Sequence, residues 1–202
     1  MAISTNQQWR DIDDTAPGTT DYTSHILKLF TEGLKSPPQG QVLDAGPACQ
    51  ENIMFFARRV KRLYVCDMFL HLEQCLNKKH PVSQIWKHLD YPPESFDGIL
   101  LWELADRLDD KEVSTLAKLC HKMLKPGGMA AVTVQGDQAA SSMVNSFVIG
   151  EDFRVRLRPQ THLHLPLRHR QNRDVLAMMA PLTPAKSFIC RPGFMEFLFR
   201  RD

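Results

Sequence analysis

The sequence predicts an α/β fold whose core is a doubly wound, mainly parallel sheet of seven strands, closed by a C-terminal antiparallel hairpin. Short apolar runs alternate along the chain with stretches in which apolar residues recur every three or four positions, the pattern of strands and amphipathic helices. The run FDGILLWE at 96–103 is nearly continuous in apolar residues, as a strand covered on both faces requires. Strands that alternate with helices are joined by right-handed crossovers and lie parallel.

The strands are expected in a regular order after a first helix. That helix begins near Tyr22 and ends at the SPPQG break. Five strands then follow, at 41–46, 62–67, 85–89, 96–103 and 129–135. The last two, AKSFIC and FMEFLFRR, are joined through Arg191-Pro192-Gly193 and predict the closing hairpin.

Helices are expected between these strands. The helix after the strand at 41–46 should bury one apolar stripe, formed by Ile53, Met54, Phe56, Ala57 and Val60. Two further helices are expected at 68–79 and 110–124. The last helix should begin at Asn172, whose side chain suits an N-cap, and end near Ala180.

The length and charge of the chain set its organisation. A chain of 202 residues fits one domain. Residues 1–21 are polar and contain Pro17 and Gly18, so we expect a flexible arm there, followed by one domain at 22–202. The formal net charge of +2 does not demand a polyanionic partner.

The cysteines and the lack of targeting segments favour a cytoplasmic protein. The five cysteines form no CxxC pair, which argues against a zinc ribbon or a disulfide framework and favours free thiols. The N-terminus lacks the basic region and apolar run of a secretory signal. No stretch approaches the ~18 continuous apolar residues of a membrane helix, so no membrane partner is expected.

A ligand site is expected at the carboxyl ends of the first two strands, because open parallel sheets bind ligands where the strand order reverses. The first strand runs into the turn at 44–49, in which Gly46 permits a backbone shape that a Cβ would hinder. The second strand ends at Asp67, 21 residues after Gly46. A carboxylate at about that distance can accept hydrogen bonds from two ribose hydroxyls, although Asp67 could instead cap the next helix.

Four motifs, in this order, resemble those of the class I S-adenosylmethionine-dependent methyltransferases over about residues 22–202. VLDAG resembles the family's first motif, and YVCD resembles the motif that carries a ribose-binding acid. HLDYPPESFDGILLWELADRL is similar to the third and fourth motifs, and LCHKMLKPGGMAAVTV to the run into the fifth strand. The resemblance implies a Rossmann-like fold with S-adenosylmethionine as its cofactor.

The resemblance also implies which residues contact that cofactor. The turn after the first strand would shape the methionine side, Asp67 and Met68 would hold the ribose and one adenine face, and Leu89 and Asp90 would frame the adenine edge. The full set of cofactor-binding residues it implies is Asp44, Ala45, Gly46, Pro47, Ala48, Asp67, Met68, Leu89, Asp90, Leu101, Trp102 and Glu103.

The first turn departs from the family's usual D-x-G-x-G-x-G. Ala48 and Gln50 replace the second and third glycines, and Pro47 removes one N–H donor. A dinucleotide fingerprint G-x-G-x-x-G fails at Ala48 and Glu51, which favours S-adenosylmethionine, a ligand without phosphates, over NAD. The same departures leave open a site that has lost its ligand.

No dedicated catalytic signature is visible, and two residues are candidates on the substrate side. Methyl transfer is a direct displacement that needs alignment and sometimes a base. Trp102 and Glu103 are expected at the rim of the pocket. Trp102 could stack on adenine or on a flat substrate, or it could pack in the core. Glu103 could orient a substrate amine or act as a base, or it could be a solvated carboxylate.

The segment 153–173 is basic and contains no acidic residue. Its six arginines are Arg154, Arg156, Arg158, Arg168, Arg170 and Arg173. They form either a solvated edge or a contact surface for an anionic substrate or RNA. A metal site at the nearby His162, His164 and His169 would need a third ligand and supporting contacts, so we expect loop or substrate-pocket histidines there and no metal.

The sequence therefore predicts an S-adenosylmethionine-dependent methyltransferase with a small-molecule acceptor. Two alternatives stay open: a non-catalytic, methyltransferase-like binding module, and an RNA methyltransferase that uses these arginines.

Overall fold

The computed structural model describes residues 21–34, 40–136, 143–190 and 193–202. Its strands are β1 (Asp21–Thr23), β2 (Gln41–Asp44), β3 (Arg62–Val65), β4 (Phe96–Leu100), β5 (Leu124–Gln135), β6 (Asn145–Ile149), β7 (Arg154–Pro159), β8 (Thr183–Cys190) and β9 (Phe194–Arg200). Its α-helices are α1 (His25–Gly33), α2 (Gln50–Ala57), α3 (Met68–Asn77), α4 (Asp110–Met123) and α5 (Asn172–Met178). Short 3₁₀ segments span Val82–Leu89, Trp102–Arg107 and Glu151–Phe153.

The main sheet has six strands in the order β3-β2-β4-β5-β9-β8. The first four are parallel, and β9 and β8 form the antiparallel hairpin at the C-terminal edge. The α/β class, the parallel core and the hairpin are therefore confirmed. The predicted number of seven strands is wrong, because the described residues place six in this sheet.

The missing strand is the one predicted at 85–89. Residues 82–89 form a 3₁₀ segment instead, with Ile85 and Leu89 buried and Gln84 and Lys87 exposed. Val82, Ile85 and His88, three positions apart, are all at least partly buried, which is the period of a 3₁₀ turn. A strand inside a parallel sheet needs apolar side chains on both faces, which this polar segment cannot supply.

A second sheet was not predicted. It has three antiparallel strands in the order β1-β7-β6. The chain around Tyr22 is accordingly a strand rather than the start of a helix, and α1 begins only after Ser24, whose hydroxyl accepts the Leu27 N–H at 3.0 Å. Of the predicted arm 1–21, residues 1–20 lie outside the described residues, and Asp21 opens β1.

The small sheet is tied to the main fold by buried hydrogen bonds. The Asn52 amide of α2 donates to the Phe147 carbonyl and accepts the Ile149 N–H, both at 2.9 Å. Asn52 is buried for this reason, while Ile53 and Met54 are 41% and 49% exposed. Ala57 is exposed as well, so the apolar stripe predicted for this helix is wrong at three of its five positions, because the small sheet covers a different face of the helix.

The remaining helices follow the prediction closely. Helix α4 begins after Asp109, whose carboxylate accepts the Glu112 N–H at 2.8 Å. Helix α5 begins at Asn172, but its N-cap is Gln171, which forms a capping box with Asp174. Among the described residues, no helix is both long enough and apolar enough to cross a membrane.

Close packing across β4 gives a direct test of this core. Gly98 lies against Phe30, and a Cβ at position 98 would come within 2.4 Å of the Phe30 ring. We expect Gly98→Ala to lower the free energy of unfolding by about 1–3 kcal/mol, because the ring and helix α1 must move. Urea denaturation followed by circular dichroism measures this change.

Gly40→Ala is the matched control, since a Cβ there makes only ordinary contacts at 3.7 Å or more. That variant should be unchanged, or more stable by up to about 1 kcal/mol. Equal stability of the Gly98→Ala variant and the natural protein would contradict the packing described here.

Candidate functional site

The parallel pairing of three strands brings their carboxyl ends to one edge of the sheet. Strand β2 lies between β3 and β4, and Asp44 at its end pairs with Val65 and Leu100. The chain passes from β2 to β3 on one side and returns to β4 on the other. The strand order reverses at this point, which is where open α/β sheets form a ligand crevice.

Asp67 lies next to the turn that follows β2, as the sequence predicts. The Ala48 N–H donates to one Asp67 carboxylate oxygen at 3.1 Å, and the Leu70 N–H donates to the other at 2.9 Å. Asp67 is therefore a helix cap and also faces the first turn. A carboxylate offers about four acceptor positions, so about two remain for a ligand.

The residues predicted around adenine lie beside the end of β3. Met68 and Leu89 are buried, and Asp90 is exposed. The Cys66 thiol lies 3.5 Å from the His88 carbonyl, which holds the chain before Leu89 against the end of β3. The structure thus brings together the residues that the resemblance assigns to the adenosine half of the crevice.

The methionine half is arranged differently. The Asp44 carboxylate is buried and accepts two hydrogen bonds through one oxygen, from the Gly46 N–H at 3.0 Å and from the Trp102 indole N–H at 2.7 Å. Pro47 is also buried, and Ala48 is the one exposed residue of 44–48. Asp44 therefore meets donors from the protein itself.

Trp102 does not lie at a pocket rim as predicted. It is 3% exposed, and its indole lies so close to Gly46 that a Cβ there would be 2.2 Å from the indole Cδ1. The other side of the ring stacks on Phe147 of β6, with centroids 5.1 Å apart. The rim prediction is wrong because the indole is buried between two partners. The Asp44 carboxylate accepts its N–H, and Phe147 of the small sheet packs on the ring.

Glu103 is also buried rather than at a rim or in solvent. Its side chain forms an ion pair with Arg107 at 2.6 Å and accepts the Asn145 amide at 2.9 Å. Burial raises the pKa of Glu103, while Arg107 and Asn145 act in the opposite direction. Leu101, the residue before Trp102, is fully buried.

A buried polar cluster continues from Glu103 and was not predicted. The Asp106 carboxylate accepts the Gln135 N–H at 2.8 Å, at the end of β5. Within the described residues, the second Asp106 oxygen has no hydrogen-bond partner, whereas the Gln135 side-chain amide lies by Glu103 and acts to lower the pKa of that carboxyl. Burial raises the pKa of Asp106 well above its usual value. The spacing of Glu103 and Arg107, one helical turn apart, is the sequence signal that could have indicated this cluster.

The basic segment does not form a single surface. Arg154, Arg156 and Arg158 lie exposed on β7, and Arg158 forms an ion pair with Glu51. Arg170 is buried and donates to the carbonyls of Ala105 and Leu108, so its role is structural. Arg168 and Arg173 are exposed elsewhere on the chain.

The three histidines of this segment are exposed. In the part of the chain that the structure describes, no group of histidine, cysteine and acidic side chains could hold a metal ion.

No protein-family model and no curated sequence matches the chain. Solved structures do match it. The N-methyltransferase NodS from Bradyrhizobium japonicum superposes with a TM-score of 0.54 at 19% identity, covering 87% of this chain and 92% of that one. An S-adenosylmethionine-dependent methyltransferase from Mesorhizobium loti superposes with a TM-score of 0.55 at 14% identity, covering 86% and 96%. The chain therefore has the fold of the class I methyltransferases.

The polar groups of the two halves of the crevice are paired differently. Asp67, Met68 and Leu89 lie beside the end of β3, where the motif resemblance predicts the ribose and adenine. On the other half, the indole of Trp102 lies over Gly46 and takes the hydrogen bond of Asp44. Trp102 therefore fills the space in which the motif resemblance predicts the amino-acid part of S-adenosylmethionine.

The buried Asp44 gives a test of this arrangement through the pH dependence of stability. Burial, opposed by the hydrogen bonds from Trp102 and Gly46, raises the pKa of Asp44 to about 6. The folded protein therefore holds this proton up to about pH 6, while the unfolded chain releases it near pH 4. As the pH rises through this window, Asp44 makes the folded state progressively less stable.

Asp44→Asn keeps an oxygen acceptor for the indole but cannot ionise. Relative to the natural protein, the variant should gain up to about 3 kcal/mol of stability between pH 4 and pH 7. Urea denaturation of both proteins at each pH in this range measures the difference in their free energies of unfolding. The contributions of the other titrating groups are the same in both proteins and cancel in this difference. A difference that stays flat with pH would show that Asp44 is not buried as described.

Proposed function

We propose that the chain is an S-adenosylmethionine-dependent methyltransferase that acts on a small molecule. The observation that carries this proposal is the hydrogen bond from the Ala48 N–H to Asp67, which joins the two strand ends that the ordered motifs assign to the donor. The fold agrees with it, since structures of methyltransferases superpose over most of the chain. When bound, the donor would supply an activated methyl group.

The roles of the crevice residues follow from their positions. Asp67 would accept hydrogen bonds from the ribose hydroxyls through its remaining acceptor positions. Met68 and Leu89 would form apolar walls around adenine, and the exposed Asp90 would meet the adenine amino group. The turn at 44–48, together with residues 101–103, would border the amino-acid half.

A small acceptor agrees with the enclosure of the nearby polar cluster. Glu103, Asp106 and Gln135 are fully buried just beyond the end of β4 and at the end of β5, so any acceptor must enter the fold to reach them, which favours a small molecule over a polymer. The second Asp106 oxygen, which has no partner among the described residues, would meet a polar group of that acceptor. An RNA acceptor is less well supported, because Arg158 is paired with Glu51 and Arg170 is buried.

A cytoplasmic location completes the proposal. All five cysteines are buried as free thiols, which suits a reducing compartment.

Calorimetry with S-adenosylmethionine and S-adenosylhomocysteine tests donor binding, and Asp67→Ser is the informative variant. Serine still caps helix α3, but it removes the carboxylate that would bind the ribose. We expect the affinity to fall about tenfold to a hundredfold, because two charge-assisted hydrogen bonds are lost.

Asp109→Ala is the matched control, since Asp109 caps helix α4 without belonging to the crevice. It should lower stability by about 1 kcal/mol and leave the donor affinity unchanged. Equal affinity of the natural protein and the Asp67→Ser variant would refute the role of Asp67. Absence of binding by the folded natural protein would refute the methyltransferase proposal.

The closure of the crevice supports a second candidate, a non-catalytic module with the methyltransferase fold. Trp102 fills the methionine half, and Pro47, Ala48 and Gln50 replace features of the usual glycine-rich turn. This candidate predicts that neither donor nor product binds, even at millimolar concentration, while the protein remains folded.

A further inference from the structure

We propose that Trp102 is a gate that stands in the space of the donor's amino-acid half and must swing out before that half can enter. The gate would make the crevice discriminate between adenosyl ligands: adenosine avoids the gated half, whereas S-adenosylhomocysteine requires it. This inference rests on the proposed donor site and adds the residue that controls it.

The first support is the fit between the indole and the turn. Gly46 is buried, and a Cβ there would lie 2.2 Å from the Trp102 Cδ1 and 2.6 Å from its Nε1. The single glycine kept in the turn therefore makes room for the protein's own side chain. That space is the one in which the motif resemblance puts the donor's amino-acid half.

The second support is the chemistry of the partner. The buried Asp44 carboxylate needs hydrogen-bond donors, and the Trp102 indole N–H supplies one at 2.7 Å. The α-ammonium group of the amino-acid half is also an N–H donor, and it carries a positive charge. It can replace the indole at Asp44 without leaving the carboxylate unpaired.

The third support is the backbone of Trp102. Its φ of +44° lies in the left-handed region, which a bulky residue adopts only when its surroundings hold it there. The surroundings that do so are Asp44 on one side and Phe147 on the other. Such strained residues cluster at ligand sites and switches, and release of Trp102 would relieve the strain.

Calorimetry with two ligands and two tryptophan variants tests the gate. In the natural protein, adenosine should bind with an affinity that Trp102→Leu changes by less than about twofold. The same substitution should raise the affinity for S-adenosylhomocysteine by about tenfold or more, because leucine is smaller and cannot donate to Asp44. The readout is the ratio of the two affinities.

Trp86→Leu is the matched control. The Trp86 indole also donates to a carboxylate at 2.7 Å, but its partner is Glu112 on α4. This variant should leave the ratio of affinities as it is in the natural protein.

The outcomes separate the gate from the donor site. The ratio is the affinity for S-adenosylhomocysteine divided by that for adenosine. If both ligands bind and Trp102→Leu leaves this ratio unchanged or lowers it, the gate proposal is refuted and the donor site is supported. If neither ligand binds any folded variant, both the proposed donor site and the gate proposal are refuted.

The natural protein provides a readout that does not depend on the variant folding. Trp102 is 3% exposed and its indole N–H is hydrogen bonded, so the NMR signal of that N–H should exchange slowly with solvent. Added S-adenosylhomocysteine should shift that signal and speed its exchange, whereas adenosine should not. An indole signal that S-adenosylhomocysteine leaves unchanged while it binds would overturn the proposal.

Discussion

A buried carboxylate must be paired with hydrogen-bond donors, and the way Asp44 meets this need organises the whole crevice. The Gly46 N–H fixes the turn after β2, and the Trp102 indole N–H fixes the chain that leaves β4. Phe147 of the small sheet stacks on this indole, so the small sheet packs against the main sheet beside the turn after β2. One carboxylate thus links the main sheet, the turn and the cover above it.

The two halves of the crevice differ because their polar groups are satisfied differently. Asp67 is half-buried and accepts only backbone N–H groups, so its carboxylate keeps acceptor positions for a ligand. Asp44 is fully buried, and the Trp102 side chain supplies one of the two hydrogen bonds that it accepts. Beyond Trp102, the cluster of Glu103, Asp106 and Gln135 contains a buried Asp106 oxygen with no partner in the described residues.

Local sequence patterns predict the elements that are buried on a regular period. The continuous apolar run of β4, the spacing of α4 and the Pro-Gly connection of the hairpin each specify one structure. The strand predicted at 85–89 is wrong because this segment has too few apolar residues for a strand in a sheet covered on both faces. Positions that follow from strand ends are predictable, as for Asp67, which lies beside the turn after β2 as the sequence predicts. Trp102 and Glu103 were misplaced because their partners lie far along the chain, 58 residues away for Asp44 and 42 for Asn145.

The central claim is that Trp102 and the amino-acid half of an adenosyl ligand compete for one space. A crystal structure of the protein with S-adenosylhomocysteine bound tests this most directly. We expect the adenosine beside Asp67, the ligand's ammonium group on Asp44, and the Trp102 indole displaced from Gly46. A bound ligand with the Trp102 indole still hydrogen bonded to Asp44 would contradict the account.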